Sequence, residues 1–178
     1  MRPRRLVVAL GANLGPREAT FAAALAALAA EVGPIRARSR WIETDPLVPP
    51  GDDPARHPRY LNGAVLLVSR LDPAAVLARL LAIERRLGRD RRREHGRWQP
   101  RPIDLDLLLM EDLVRDAPDP VLPHPRLHER RFVLEPLVEI WPDWRHPRLG
   151  LTARELLARL RTRAFPLGRP PLSGYAEE

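Results

Sequence analysis

The order in which apolar patterns change period along this chain leaves few folds open to it. Leu6 to Leu10 is a short continuous apolar run, followed by the turn residues Gly11-Ala12-Asn13-Leu14-Gly15 and by Pro16. From Arg17 to about Glu31 the apolar residues recur at helical spacing, with Phe21, Leu25 and Leu28 on one stripe, and Gly33-Pro34 ends the pattern. Ile35 to Glu43 alternates, with Arg36, Arg38 and Arg40 on one basic face, and Tyr60 to Ser69 is apolar at its centre. Asp72-Pro73 reads as a helix N-cap with proline in the first position, and a second amphipathic helix over Ala74 to Leu87 stops at Gly88. Ile103 to Met110 is a further strand, predicted to be central because apolar residues lie on both its faces.

Strand, helix, strand, strand, helix, strand is the order of a split βαβ pair. It predicts an α+β chain with a ferredoxin-like βαββαβ plait, an antiparallel sheet with packed helices. A short hairpin near Glu111 to Arg115, a proline-punctuated segment and a last helix over about Thr152 to Leu160 would form a C-terminal extension. The expected division is one domain over 1–165 and a loosely held tail over 166–178.

Composition narrows the chemistry. A chain of 178 residues can bury a sizeable core, and the absence of cysteine removes disulfides, thiolate metal sites and a cysteine nucleophile. No apolar run is long enough to cross a bilayer, and Leu6 to Leu10 is too short for the core of a signal peptide, so a cytoplasmic protein is expected. The formal charge is +7 and all 30 basic residues are arginine, a balance that favours anionic partners: nucleotides, phosphorylated metabolites or nucleic acid.

Two features point to phosphate chemistry. Asp104-Leu105-Asp106 sits inside the leucine-rich strand, where residues two apart share a face and lie roughly 6.6 Å apart along the chain. Carboxylates so placed repel unless cations sit between them, and hard oxygen ligands suit Mg2+, which shares its shell with substrate phosphates. Two ions about 4 Å apart could clamp both oxygens of an in-line displacement. An exposed strand face with solvated aspartates is the plain alternative. The second feature is Arg89 to Arg101, a basic segment without apolar periodicity that leads directly into the carboxylate strand. Guanidinium forks bind phosphate oxygens and stay charged, and a loop of them could close over a polyphosphate. A solvated charge patch, or a nucleic-acid surface with Trp98 stacking on a base, competes with that reading.

Arg97-Trp98-Gln99-Pro100-Arg101-Pro102-Ile103-Asp104-Leu105-Asp106-Leu107-Leu108 closely resembles the signature of the 6-hydroxymethyl-7,8-dihydropterin pyrophosphokinase family of folate biosynthesis. Leu10 to Gly15, Glu43 to Leu47, Tyr60 to Val65 and Leu122 to Leu134 resemble other segments of that family, in family order, over about residues 6 to 160. The resemblance implies an enzyme that transfers pyrophosphate from ATP, the co-substrate, to 6-hydroxymethyl-7,8-dihydropterin, giving AMP and the pterin diphosphate. It implies Asp104 and Asp106 as ligands of two Mg2+ ions, with Arg89 and Arg101 as catalytic arginines. Glu84, Arg91, Arg92, Trp98, His124 and Arg130 fall on the ATP side. Tyr60 and Phe132 match an aromatic pair that sandwiches the pterin, Asn62 matches the side chain reading its amide edge, and Thr44, Leu47 and Trp98 match further pterin contacts. A monomer without nucleic-acid or membrane partners is the corresponding expectation. Gln99 stands where the family usually has glycine, Asp45 replaces a frequent proline, and the basic loop is two residues longer than in the shortest relatives, which leaves the register of Arg91 to Arg93 open.

Overall fold

Strand β1 (Arg4–Ala12) is the spine of a five-stranded antiparallel sheet in a computed structural model that describes residues 2–46, 51, 53–93 and 100–164. On one side it pairs along its whole length with β4 (Tyr60–Ser69), and on the other with β5 (Asp104–Met110). Beyond β4 lie β2 (Ile35–Arg38) and, further along the same strand, β3 (Ile42–Thr44). The order across the sheet is β2-β4-β1-β5, with β3 on β4.

Both faces of the sheet are covered. Helices α1 (Arg17–Glu31) and α2 (Pro73–Arg86) bury Phe21, Leu28, Leu80 and Ile83 against Leu6, Val8 and Leu10 of β1. On the opposite face α3 (Arg131–Ile140) and α4 (Ala153–Ala164) bury Leu134, Leu137 and Leu157 against Val7, Ala64 and Leu108. This double cover explains the apolar residues on both faces of β5, and it corrects the inference drawn from them. The strand is at the sheet's edge, not its centre, and its outer margin is met by the chain around His124, whose N–H donates to Leu108 O at 2.7 Å. A bulge opposite Val7 and Val8 turns both Leu108 and Leu109 toward α3 and α4.

Three further local outcomes differ from the sequence reading. The single strand expected over Ile35 to Glu43 is broken at Ser39, whose hydroxyl accepts the N–H of Ala64 at 3.0 Å, while Trp41 turns in beneath Gly63 and packs edge-on against Phe21. A Cβ at Gly63 would lie 2.2 Å from the Trp41 ring, so the break depends on glycine there. The proline-punctuated segment contains α3, which carries Pro136 inside it yet buries Val133, Leu134 and Leu137 at helical spacing. The hairpin expected near Glu111 to Arg115 is reduced to one bridge between Arg115 and Leu122. Helix α4 starts where its sequence says it should: Thr152 and Glu155 exchange hydrogen bonds as a capping box, but the helix runs on past Leu160 to Ala164. Leu47, Trp98, Gln99 and the tail from Pro166 lie outside the described residues.

Candidate active site

Toward the C-terminal end of β1 the residues facing α3 shrink from Val7 to Ala9 and Gly11, and the sheet surface opens there. The strand register sets one row across it: Asp104 of β5 stands opposite Gly11, Gly11 opposite Asn62 of β4, and Asn62 opposite Ile42 of β3. In the next rows Asp106 faces Ala9 on one side and Tyr60 faces Thr44 on the other. Because side chains two apart share a face, the two aspartates, Asn62 and Tyr60 all rise from one surface. A Cβ at Gly11 would come 3.4 Å from Asn62 Oδ1 and 3.8 Å from Asp104 Cβ, so glycine keeps the floor between them clear. The start of α3 forms a wall with Arg130 and Phe132, enclosing a pocket of about 200 Å³. Its lining divides by chemistry: Thr44, Tyr60 and Asn62 on the β3 and β4 side, Arg101, Asp104 and Asp106 on the β5 side.

The β3 and β4 side is polar but pre-set. Asn62 is buried, 7% exposed, and its Nδ2 donates to Thr44 Oγ1 at 2.8 Å. That bond fixes the amide with Oδ1 toward Gly11 as an acceptor open to the pocket. Asp45 also lines the pocket, and its carboxylate accepts from Arg59 Nε at 2.9 Å, so the residue standing in for a frequent proline is tied to the segment before Tyr60.

The β5 side is an ion-pair cluster. Glu84 projects from α2 and is 1% exposed. Its carboxylate accepts the Leu105 N–H at 2.8 Å, Arg89 Nη1 at 2.8 Å and Arg91 Nη2 at 2.8 Å. Arg89 also donates to Asp104 Oδ1, while Arg101 Nη1 donates to Asp104 Oδ2 at 2.9 Å. Arg101 is itself held through its backbone by Asn13, whose Oδ1 accepts the Arg101 N–H at 2.7 Å and whose Nδ2 reaches Pro58 O at 3.4 Å. Asn13, read from sequence as a turn residue, is thus a strap between the two sides of the pocket. Gly11 and Asn13 were legible as a turn; their part in the floor and strap depends on pairings that sequence does not show.

Asp106 differs from Asp104. Among the described residues its carboxylate has no hydrogen-bond or ion-pair partner, and burial together with the charge of Asp104 pushes it up to about 6, against the opposing pull of Arg130. Two same-face carboxylates, one of them without a cation, suit a hard divalent ion. Among the described residues no three histidine or acidic side chains are grouped to hold a metal ion by themselves. Among the described residues Arg130 keeps a buried Nε without a hydrogen-bond partner, and it is lowered from its usual range by burial and by Arg126, with Asp106 and Asp104 pulling it back. His124, lowered by burial and by Arg130 and Arg126, accepts the Arg126 N–H at Nδ1 at 3.2 Å, so its other nitrogen is the donor.

The sequence-predicted residues are therefore distributed as follows. Arg101, Asp104, Asp106, Arg130, Thr44, Tyr60, Asn62 and Phe132 converge on the pocket, and Arg89, Arg91 and Glu84 stand behind Asp104. Arg92 is exposed on Asp90, and His124 lies at the β5 margin outside the pocket lining.

Residues 7–142 match the protein family described as 7,8-dihydro-6-hydroxymethylpterin-pyrophosphokinase. The chain belongs to that family. It is 39% identical over 155 residues to the 2-amino-4-hydroxy-6-hydroxymethyldihydropteridine pyrophosphokinase of Synechocystis sp., covering 86% of this chain and 75% of that one. The enzyme of the same name from Methylorubrum extorquens is 42% identical over 156 residues, covering 88% and 93%. The fold is shared with the HPPK-DHPS protein of Plasmodium falciparum crystallised with pterin and p-hydroxybenzoate, at a TM-score of 0.70 and 15% identity. This pyrophosphokinase-family chain is 92% covered in that match but spans only 42% of the Plasmodium chain. Among the described residues no helix is long and apolar enough to cross a membrane.

Proposed function

We propose that this chain transfers pyrophosphate from ATP to 6-hydroxymethyl-7,8-dihydropterin, giving AMP and the pterin diphosphate, a step of folate biosynthesis. The observation that carries it is one pocket with two chemistries: a carboxylate pair among guanidiniums on one side, and an aromatic side chain with a fixed amide acceptor on the other. A flat heterocycle packs between Tyr60 and Phe132, and Asn62 Oδ1 accepts from its ring N–H edge. That arrangement points the hydroxymethyl arm along the Gly11 floor toward Asp104 and Asp106.

Asp104 and Asp106 would hold Mg2+, two ions on the family's pattern, and the metal would supply charge neutralisation at the β- and γ-phosphates. The chain's own groups do the rest. The hydroxymethyl oxygen bonds to the β-phosphorus as the bond to the α–β bridging oxygen breaks, and AMP leaves with that oxygen. Arg101, its backbone fixed by Asn13, and Arg130, with its unused Nε, bind the phosphate oxygens and stabilise the charge that moves onto them. Arg89, Arg91 and His124 are assigned to the phosphates, with Arg92, Trp98 and Leu47 as loop contacts. We assign the hydroxyl proton to Asp106, whose carboxylate has no ion-pair partner among the described residues. We read the sheet order as that of a ferredoxin-like plait carrying α3 and α4 as its C-terminal extension, and residues 1–165 as one catalytic domain acting as a monomer in the cytoplasm.

The test is AMP release from ATP with Mg2+ and the reduced hydroxymethylpterin. Folded protein that releases no AMP above a blank without pterin refutes the proposal.

A further inference from the structure

Asp104 carries a guanidinium on each of its carboxylate oxygens: Arg89 on Oδ1 and Arg101 on Oδ2. The two arginines are placed differently. Arg101 sits at the pocket wall, whereas the Arg89 side chain is 3% exposed and directs the same Nη1 to Asp104 and to Glu84. The Arg89 guanidinium takes one lone-pair site of Asp104 Oδ1 and its positive charge repels a cation brought to that oxygen, so a metal at Asp104 Oδ1 competes with Arg89. Glu84 is built to survive the departure of Arg89. Its carboxylate keeps the Leu105 N–H on Oε1 and both Nε and Nη2 of Arg91 on Oε2, so losing Arg89 leaves neither oxygen bare.

We propose that Arg89 is a resident counter-ion occupying the metal's place at Asp104 in the free chain, and that Glu84 is the positioning residue that parks it there. Loading of a divalent cation with a polyphosphate moves the Arg89 guanidinium from Asp104 onto the incoming anion. The phosphate half of that exchange rests on the pyrophosphokinase reading; the competition at Asp104 does not. The physical reason is charge. Without Arg89, Asp104 would face Asp106 and the buried Glu84 across a poorly solvated space, and like charges so placed destabilise one another. A tethered guanidinium removes that repulsion yet leaves when a divalent ion arrives.

The experiment is a Mn2+ titration of the nucleotide-free full chain, followed by the EPR signal of free Mn2+ at pH 7.5, with the melting temperature of each variant recorded. Arg89→Gln keeps a hydrogen bond to Glu84 without the charge, and it is expected to bind Mn2+ about 10- to 100-fold more tightly than the wild type, the equivalent of one charge-assisted hydrogen bond. Arg89→Leu gives a second, independent variant with the same expected direction, and Arg89→Lys returns toward the wild-type value. Glu84→Gln keeps a hydrogen-bond acceptor for Arg89 and removes a nearby negative charge, so Mn2+ binding falls several-fold. A merely structural role predicts weaker binding in every variant. Unchanged or weaker Mn2+ binding in the two neutral Arg89 variants, with melting preserved, overturns the proposal, as does tighter binding in Glu84→Gln. AMP release by the wild type is scored separately: an active wild type with the wrong metal response sinks the counter-ion alone. An inactive wild type with the expected response sinks only the pyrophosphokinase reading.

Discussion

Replacing Asn62 with alanine isolates the recognition half of the pocket from its phosphate half. The side chain is 7% exposed, its Nδ2 is committed to Thr44 Oγ1 at 2.8 Å, and its Oδ1 is left toward the pocket. Truncation leaves a buried N–H of the bound heterocycle without an acceptor, and such a group costs about 1–3 kcal/mol. At about 1.4 kcal/mol per decade, the KM for the pterin should rise about 5- to 150-fold. Gly11 separates Asn62 from Asp104 in the register, so the KM for ATP should stay near the wild-type value. Thr44→Val keeps the volume and removes the oxygen that orients the amide, so it should raise the pterin KM by less than Asn62→Ala does. Steady-state AMP release measured against each substrate reads all three values. A pterin KM within twofold of wild type, with the ATP KM raised instead, would falsify the assignment of the two sides.

Other consequences follow from the same geometry. Asp106 has a folded pKa of about 6, raised above its ordinary 3.8 by burial, so the stability at stake is fully present below pH 4 and is lost as pH rises through 6. Asp106→Asn should therefore raise the metal-free melting temperature at pH 7.5 and leave it unchanged at pH 4, by calorimetry; equal effects at both pH values would show that the carboxylate is not strained. Asp104→Ala should lower AMP turnover by about 100-fold or more at saturating Mg2+ and ATP, the scale of losing electrostatic stabilisation of the transferring group. Gly63→Ala drives a methyl to 2.2 Å from the Trp41 ring and should cost about 1–3 kcal/mol in a urea titration, with Trp41→Leu in the same chain recovering part of it. Thr152→Ala removes the α4 capping box and should cost about 0.5–2 kcal/mol without moving either KM, since α4 packs away from the pocket.

What could be read in the sequence follows the range of the interaction involved. Helix α1 was bounded correctly by period, because its apolar stripe faces one core, and strand β4 by its apolar centre, which the covers on both faces of the sheet bury. Strand β5 was legible as a strand but misplaced. Its leucines record burial on two faces, and burial on two faces says nothing about hydrogen-bond neighbours once helices cover both sides of an edge. Helix α3 was lost behind Pro136, although Val133, Leu134 and Leu137 keep helical spacing across it. The break at Ser39 was invisible for a different reason: it depends on Gly63, a contact between strands that no local pattern carries.

At the site the residue types were legible and their pairings were not. Arg89 and Arg101 read from the sequence as cations waiting for phosphate, yet in the free chain both rest on Asp104. Counting the cluster explains why this does not disable it. Glu84, Asp104 and Asp106 carry three negative charges among Arg89, Arg91, Arg101 and Arg130, so the four guanidiniums exceed the carboxylates by one. An excess that small holds the cluster together without strong self-repulsion. A polyphosphate arriving with divalent ions brings nearly balanced charge, and it can exchange partners with these groups without leaving a buried charge unpaired at either end. Within the arginine-rich segment that suggested nucleic acid as readily as nucleotide, Arg89 departs from a backbone-binding surface, which keeps its guanidiniums outward in solvent, because it is buried on Asp104.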